Sequence, residues 1–175
     1  MKKSILFLMI FACSALFAQS FYIGPIAGYN KGNNQDPTAT VSGAIRVSIA
    51  SYGIEGSVGY TSSKFVGGAV EATNYPIMLT LMMHPLPIVY TQAGIGWYNT
   101  KLEFSGPLKA IGLADETKSQ VGYHVGFGAE IPLGNILLTG DIKYIFLDYN
   151  LGVLTGLSNS NANFTLISAG LLFKL

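Results

Sequence analysis

Hydrophobic and polar residues alternate with a period of two along most of this chain. Residues 120–131 show it best: Val121, Tyr123, Val125, Phe127, Ala129 and Ile131 interleave with Gln120, Gly122, His124, Gly126, Gly128 and Glu130. Successive side chains of a β-strand point to opposite faces, so this run predicts a strand with one apolar face and one small or polar face. Seven other stretches read the same way: 21–30, 40–49, 52–61, 72–84, 87–100, 136–149 and 163–175. Arg46 and Ser48 alternate with Ile45, Val47 and Ile49, and Asp141 and Lys143 alternate with Ile142, Tyr144 and Phe146. The first stretch is the least clean, since Pro25 and Ile26 blur its faces. Ala50-Ser51, Pro85-Leu86 and Gly134-Asn135 read as tight turns. Residues 31–39, 62–71, 101–118 and 150–162 read as longer loops.

Short turns at one end and long loops at the other predict an all-β fold. It is an eight-stranded antiparallel up-and-down transmembrane β-barrel of the outer-membrane kind, with both termini in the periplasm. A soluble barrel alternates too, but with its apolar face inward. Three features favour the apolar face outward. The other face carries six formal charges over eight strands, namely Arg46, Glu55, Glu130, Asp141, Lys143 and Lys174, too few for a solvated exterior. That face is also rich in glycine, which suits a crowded lumen. On the apolar face, Tyr29, Tyr60, Tyr75, Trp97, Tyr123, Phe146 and Phe173 lie toward strand ends, as girdles at two bilayer interfaces would.

Composition agrees. Of 175 residues, 50% are hydrophobic and 11% charged, and 21 are glycine. An average soluble domain is about 25% charged. A net charge of +1 excludes a basic nucleic-acid binder. The apolar runs are too short for a helix of about 20 residues to span a bilayer. Lys2 and Lys3 precede the apolar stretch from Ser4 to Phe17, and Ala18, Gln19 and Ser20 follow it. This is the layout of a secretory signal peptide, residues 1–18, ahead of a barrel domain at 19–175. Cys13, the chain's one cysteine, lies within the leader, so the mature barrel has neither disulfides nor thiol chemistry. Lipid attachment at Cys13 is disfavoured by the bulk of Phe11.

The C-terminal run Ser168-Ala169-Gly170-Leu171-Leu172-Phe173-Lys174-Leu175 resembles the terminal recognition signal of bacterial outer-membrane barrels, polar-x-Gly-x-x-aromatic-x-aromatic. Leu175 stands where that pattern usually has Phe. Tyr75-Pro76-Ile77-Met78-Leu79-Thr80-Leu81, followed by Gln92-Ala93-Gly94-Ile95-Gly96-Trp97-Tyr98, is similar to the corresponding hairpin of general outer-membrane β-barrel and OmpW-like porin families. The resemblance implies outer-membrane lipid, periplasmic chaperones and the barrel-assembly machinery as partners. It gives Ser168, Gly170, Phe173 and Leu175 the role of assembly signal.

The chemistry on offer is sparse. A two-residue turn at Ala50-Ser51 sets Ile49 opposite Tyr52 and therefore Arg46 opposite Glu55, both inward, as a charge-assisted pair. The six lumen charges cancel, which suits a structural network better than an ion-selecting constriction. His124 faces inward and could meet Asp141 on the next strand as base and orienter, but no nucleophile stands near it in sequence. His84 abuts the Pro85 turn and reads as a turn residue. No catalytic, cofactor or metal site is expected. The predicted role is non-enzymatic: a porin-like or structural surface protein. Alternatives are an OmpW-like conduit for small apolar solutes, or an adhesin binding a host surface ligand through loops 101–118 and 150–162. A lipid A-modifying barrel enzyme is the most remote.

Overall fold

In the computed structural model of the protein, residues 19–32, 37–65, 70–104, 115–149, 160–161 and 163–175 are described. The expected leader at 1–18 lies outside them, as do 33–36, 66–69, 105–114, 150–159 and 162 within the expected loops.

The strands are β1 (Gln19–Gly32), β2 (Thr38–Ile49), β3 (Tyr52–Phe65), β4 (Val70–Leu86), β5 (Val89–Phe104), β6 (Glu116–Leu133), β7 (Ile136–Phe146), β8 (Asp148–Tyr149), β9 (Ser160–Asn161) and β10 (Phe164–Lys174). Strands β1 to β7 pair with their sequence neighbours, and β10 closes the barrel between β7 and β1. That gives eight antiparallel barrel strands; β8 and β9 pair separately as a short ribbon. Closure leaves no strand edge facing lipid, where an unpaired backbone amide costs several kcal/mol. Backbone bonds also tie the turn-bearing end: His84 donates to the Ser51 carbonyl, Glu130 to Ile88, Lys174 to Asn135 and Leu175 to Phe21, all at 2.8–2.9 Å.

The alternation falls as the sequence predicts. On β6, Val121, Tyr123, Val125, Phe127, Ala129 and Ile131 are exposed, Phe127 by 59%. The even residues between them turn inward. Outward aromatics pair across or along strands: Tyr60 and Tyr75 meet edge-on at 5.6 Å, and Tyr144 and Phe146 at 4.9 Å. The barrel strands run from 11 to 18 residues, longer than the roughly 9–11 a bilayer requires. The excess lies at the loop end, where the outward positions turn polar: Asn99 and Lys101 beyond Trp97, Thr117 and Ser119 ahead of Val121.

Two expectations need correction. The second tight turn is Pro87-Ile88, two residues later than Pro85-Leu86. Strand β4 continues to Leu86 through a register shift between Met83 and Leu86. Proline is tolerated at such irregularities because its missing N–H interrupts no regular ladder there. The inner face is also more apolar than expected. Met78, Tyr98, Ile145, Leu147 and Leu166 form one buried cluster, and Ile26, Ala44, Leu137 and Leu172 another. Glycines on neighbouring strands make room for the larger inward side chains. A Cβ on Gly128 would stand 2.5 Å from the Tyr90 ring, and one on Gly94 would stand 2.6 Å from His124 Nε2.

Candidate functional site

The lumen's charged layer is assembled by hairpin arithmetic. The Ala50-Ser51 turn sets Ile49 against Tyr52 and hence Arg46 against Glu55. Arg46 donates to Glu55 Oε2 from Nε at 3.0 Å and from Nη2 at 2.5 Å. Its third nitrogen reaches across the barrel, where Nη1 donates to Glu130 Oε2 at 2.7 Å. Lys143 Nζ lies 3.6 Å from Glu55 Oε1 and 3.4 Å from Asp141 Oδ1. Asp141 also accepts from Ser168 Oγ at 3.0 Å and from the Tyr90 hydroxyl at 3.4 Å. The Tyr90 hydroxyl is a further 3.0 Å from Thr139 Oγ1, and the Arg46 guanidinium lies over the Tyr90 ring at 5.5 Å.

This network links β2, β3, β5, β6, β7 and β10 through the barrel axis. Arg46, Glu55 and Lys143 are 0%, 1% and 2% exposed. Charges withdrawn from water this far persist only when paired: Arg46 donates from all three of its nitrogens, and Lys143 lies within ion-pair distance of two carboxylates. On the loop side of the charged layer, Tyr98, Ile145, Leu147 and Leu166 fill the section, and Phe164 packs on Tyr98 edge-on at 6.0 Å.

The structure therefore gathers five of the six expected lumen charges. Lys174 shares their parity but is the last residue of β10, where its side chain is exposed; among the described residues it joins no ion pair. Proximity to the rim gives it water instead of a partner. His124 does not meet Asp141. Register sets it opposite Ile145, and Asp141 opposite Gly128. His124 Nε2 instead shares a hydrogen bond with Thr80 Oγ1 at 2.9 Å, both groups being fully buried. His84 is not a turn residue either. It lies inside β4, its ring 5.5 Å from that of Tyr90 and its Nε2 3.0 Å from Glu130 Oε1. Sequence reasoning does not single out Tyr90 and Thr139, and it reads His84 only as a turn residue. Their inward parity was readable, but the misplaced turn hid how close His84 comes to Glu130.

Ser168 and Gly170 of the expected assembly signal point inward, Ser168 onto Asp141 and Gly170 beside Ile26. Phe173 and Leu175 are exposed at the closing strand's end. Of the loops 101–118 and 150–162, the segments 105–114 and 150–159 lie outside the described residues.

A closed barrel with an apolar exterior and a packed, ion-paired interior defines a small membrane-spanning β-barrel. The chain belongs to the outer membrane protein beta-barrel domain family, whose model matches residues 4–174. Outer-membrane localisation follows from that membership. Its fold is similar to that of Neisserial surface protein A, at 14% identity over 89% of this chain and 97% of that one, with a TM-score of 0.69. A major outer membrane protein from Thermus thermophilus is similar at 16% identity, over 90% and 100% of the two chains, with a TM-score of 0.66. Ail, the attachment invasion locus protein of Yersinia pestis, solved in complex with the heparin analogue sucrose octasulfate, is similar at 14% identity, over 90% and 97%, with a TM-score of 0.54. At these identities the likeness is one of fold. No curated protein matches the chain.

Proposed function

We propose that this protein is a non-enzymatic structural or surface barrel whose lumen is a plug, with both termini in the periplasm. The observation that carries the reading is the fully buried Arg46–Glu55–Lys143 network, joined across the axis to Glu130 and Asp141. An ion-conducting lumen keeps its charges hydrated and facing a clear path; here they pair with one another at contact distance. The apolar cluster around Tyr98 and Leu147 favours the plug over an OmpW-like conduit for apolar solutes. A lipid A-modifying reading draws little from His124 and Thr80, because both are closed to a substrate. Planar-bilayer recording tests the plug. The expected result is no steady current from the purified barrel. A stable conductance whose ion preference changes in Glu55→Gln would replace plug with pore.

The assembly reading keeps periplasmic chaperones and the barrel-assembly machinery as partners, addressed through Ser168, Gly170, Phe173 and Leu175. A second reading, a surface adhesin, draws on the strand extensions that lift Asn99, Lys101, Thr117 and Ser119 beyond the apolar belt. Replacing 105–114 and 150–159 with short Gly-Ser linkers should then abolish attachment of expressing cells to host matrix while the barrel still folds. Unchanged attachment would remove the adhesin reading.

A further inference from the structure

We infer that Gln19 is a modification site: its α-amine, freed by removal of the leader, closes on its own side-chain amide to give a pyroglutamyl terminus. The inference rests on the expected leader, residues 1–18, and not on whether the lumen is a plug or a pore. A secretory leader ends on a small residue, and Ala18 stands directly before Gln19. Cleavage at that bond makes glutamine the first residue of the mature chain.

The reaction needs nothing beyond that residue. The neutral α-nitrogen attacks the side-chain carbonyl carbon, Cδ. A new carbon–nitrogen bond closes a five-membered lactam, and the bond from Cδ to Nε2 breaks. Ammonia leaves with the proton that the α-nitrogen gives up. Nothing is oxidised or reduced, and no co-reactant is consumed. Both groups sit on one residue, so proximity replaces an encounter between molecules. An α-amine is a much weaker base than a lysine, so a share of it is neutral near neutral pH and able to attack. Glutamine suits the step by size and leaving group. Asparagine would close a strained four-membered ring, and glutamate would have to expel water.

The fold gives the lactam a place. Strand β1 begins at Gln19, which stands opposite Ile49 of β2, next to the Ala50-Ser51 turn. Cleavage before Gln19 therefore leaves no tail, and the new terminus enters the barrel wall at its first residue. Phe21 and Ile23 follow on the same strand, 42% and 43% exposed, and open the apolar belt there. A charge on the lipid side of a barrel costs more the deeper it lies, so an ammonium two residues from that belt is held at its edge. The lactam is uncharged and keeps one amide N–H, so it lies against β2 without that charge. The ring closes while the chain is in transit, when Gln19 still rotates freely and β2 has not yet paired with it.

The test weighs the protein as cells deliver it. The full chain is expressed with its leader, and the folded barrel is purified from outer membranes. Its intact mass is measured, together with its N-terminal tryptic peptide, residues 19–31. The expected mass is that of residues 19–175 less one ammonia. The terminal peptide should resist Edman degradation until pyroglutamyl aminopeptidase removes its first residue. Gln19→Ser, which has no amide to attack, should give the full mass of its own residues 19–175 and a free α-amine. A barrel that starts at Gln19 with a free α-amine overturns the lactam and leaves the leader boundary standing. A barrel that starts at any other residue overturns the boundary and the lactam with it. An ammonia loss that persists in Gln19→Ser lies elsewhere in the chain, and it too overturns the assignment.

Discussion

Ala50 has φ at +52°, where an L side chain crowds the following carbonyl. It holds the first place of a two-residue hairpin turn, where glycine is the favoured residue when φ is positive. Ala50→Gly should therefore raise stability, by about 0.5–1 kcal/mol after glycine's greater freedom in the unfolded chain is set against the relief. Urea titration in lipid vesicles measures this; a loss of stability would show that the turn is not strained. A few residues away, Arg46 and Glu55 invite a double-mutant cycle. Arg46→Gln or Glu55→Gln alone strands a buried charge, which costs roughly 3–5 kcal/mol, less where lumen water reaches it. The double variant should recover part of that loss, and a coupling energy of zero would dismiss the pair. Gly128 is a third test. A methyl there meets the Tyr90 ring at 2.5 Å and the Gly140 carbonyl oxygen at 2.7 Å, so Gly128→Ala should lower stability by about 1–3 kcal/mol. Adding Tyr90→Phe should not rescue it, because the ring and the carbonyl remain.

At the scale of strands, facing is the assignment on which the rest depends. Phe127 lies centrally among the outward residues of β6, whereas Gln120 turns toward the lumen near the loop end. Phe127→Arg should cost roughly 2–4 kcal/mol, as arginine does at the bilayer midplane, and Gln120→Arg much less. If vesicle-based unfolding ranks Gln120→Arg as the more damaging, inside and outside are exchanged. Period-two alternation made these strands legible, and a correctly placed two-residue turn made a pairing legible down to the residue: Ile49↔Tyr52 carries Arg46 to Glu55. The same counting from Gly134-Asn135 sets His124 against Ile145 and so separates it from Asp141. Where the chain departs from regularity, counting fails. The shift between Met83 and Leu86 moved the β4–β5 turn and concealed His84. Contacts across the axis, such as Arg46 to Glu130, depend on barrel curvature and side-chain reach, which no local pattern encodes. Tyr90 and Tyr98 were easy to misjudge for a related reason: an inner face that averages small and polar still needs large side chains to fill its centre.

For the molecule as a whole, closure is the decisive event, since β10 must find β1 before either edge is satisfied. Phe173, opposite Ile23 and facing outward, belongs to that last seam. Phe173→Asp sets a charge on the lipid side of the seam and within the expected assembly signal. The folded amount in the outer membrane should fall severalfold, read by separating folded from unfolded barrel after mild extraction. Undiminished yield would remove Phe173 from assembly.

The position of Trp97 gives the barrel an optical reporter of its own. It is the chain's one tryptophan, and it faces outward from β5 where the apolar belt gives way to Asn99 and Lys101. Indole emission moves to shorter wavelength as water leaves the ring, so the intrinsic fluorescence of the unaltered protein registers insertion without a label. Because Trp97 belongs to the interfacial level and not to the midplane, a quencher carried near the lipid headgroup should dim it more than one at the acyl-chain terminus. The same light would time how β5 reaches its depth during refolding.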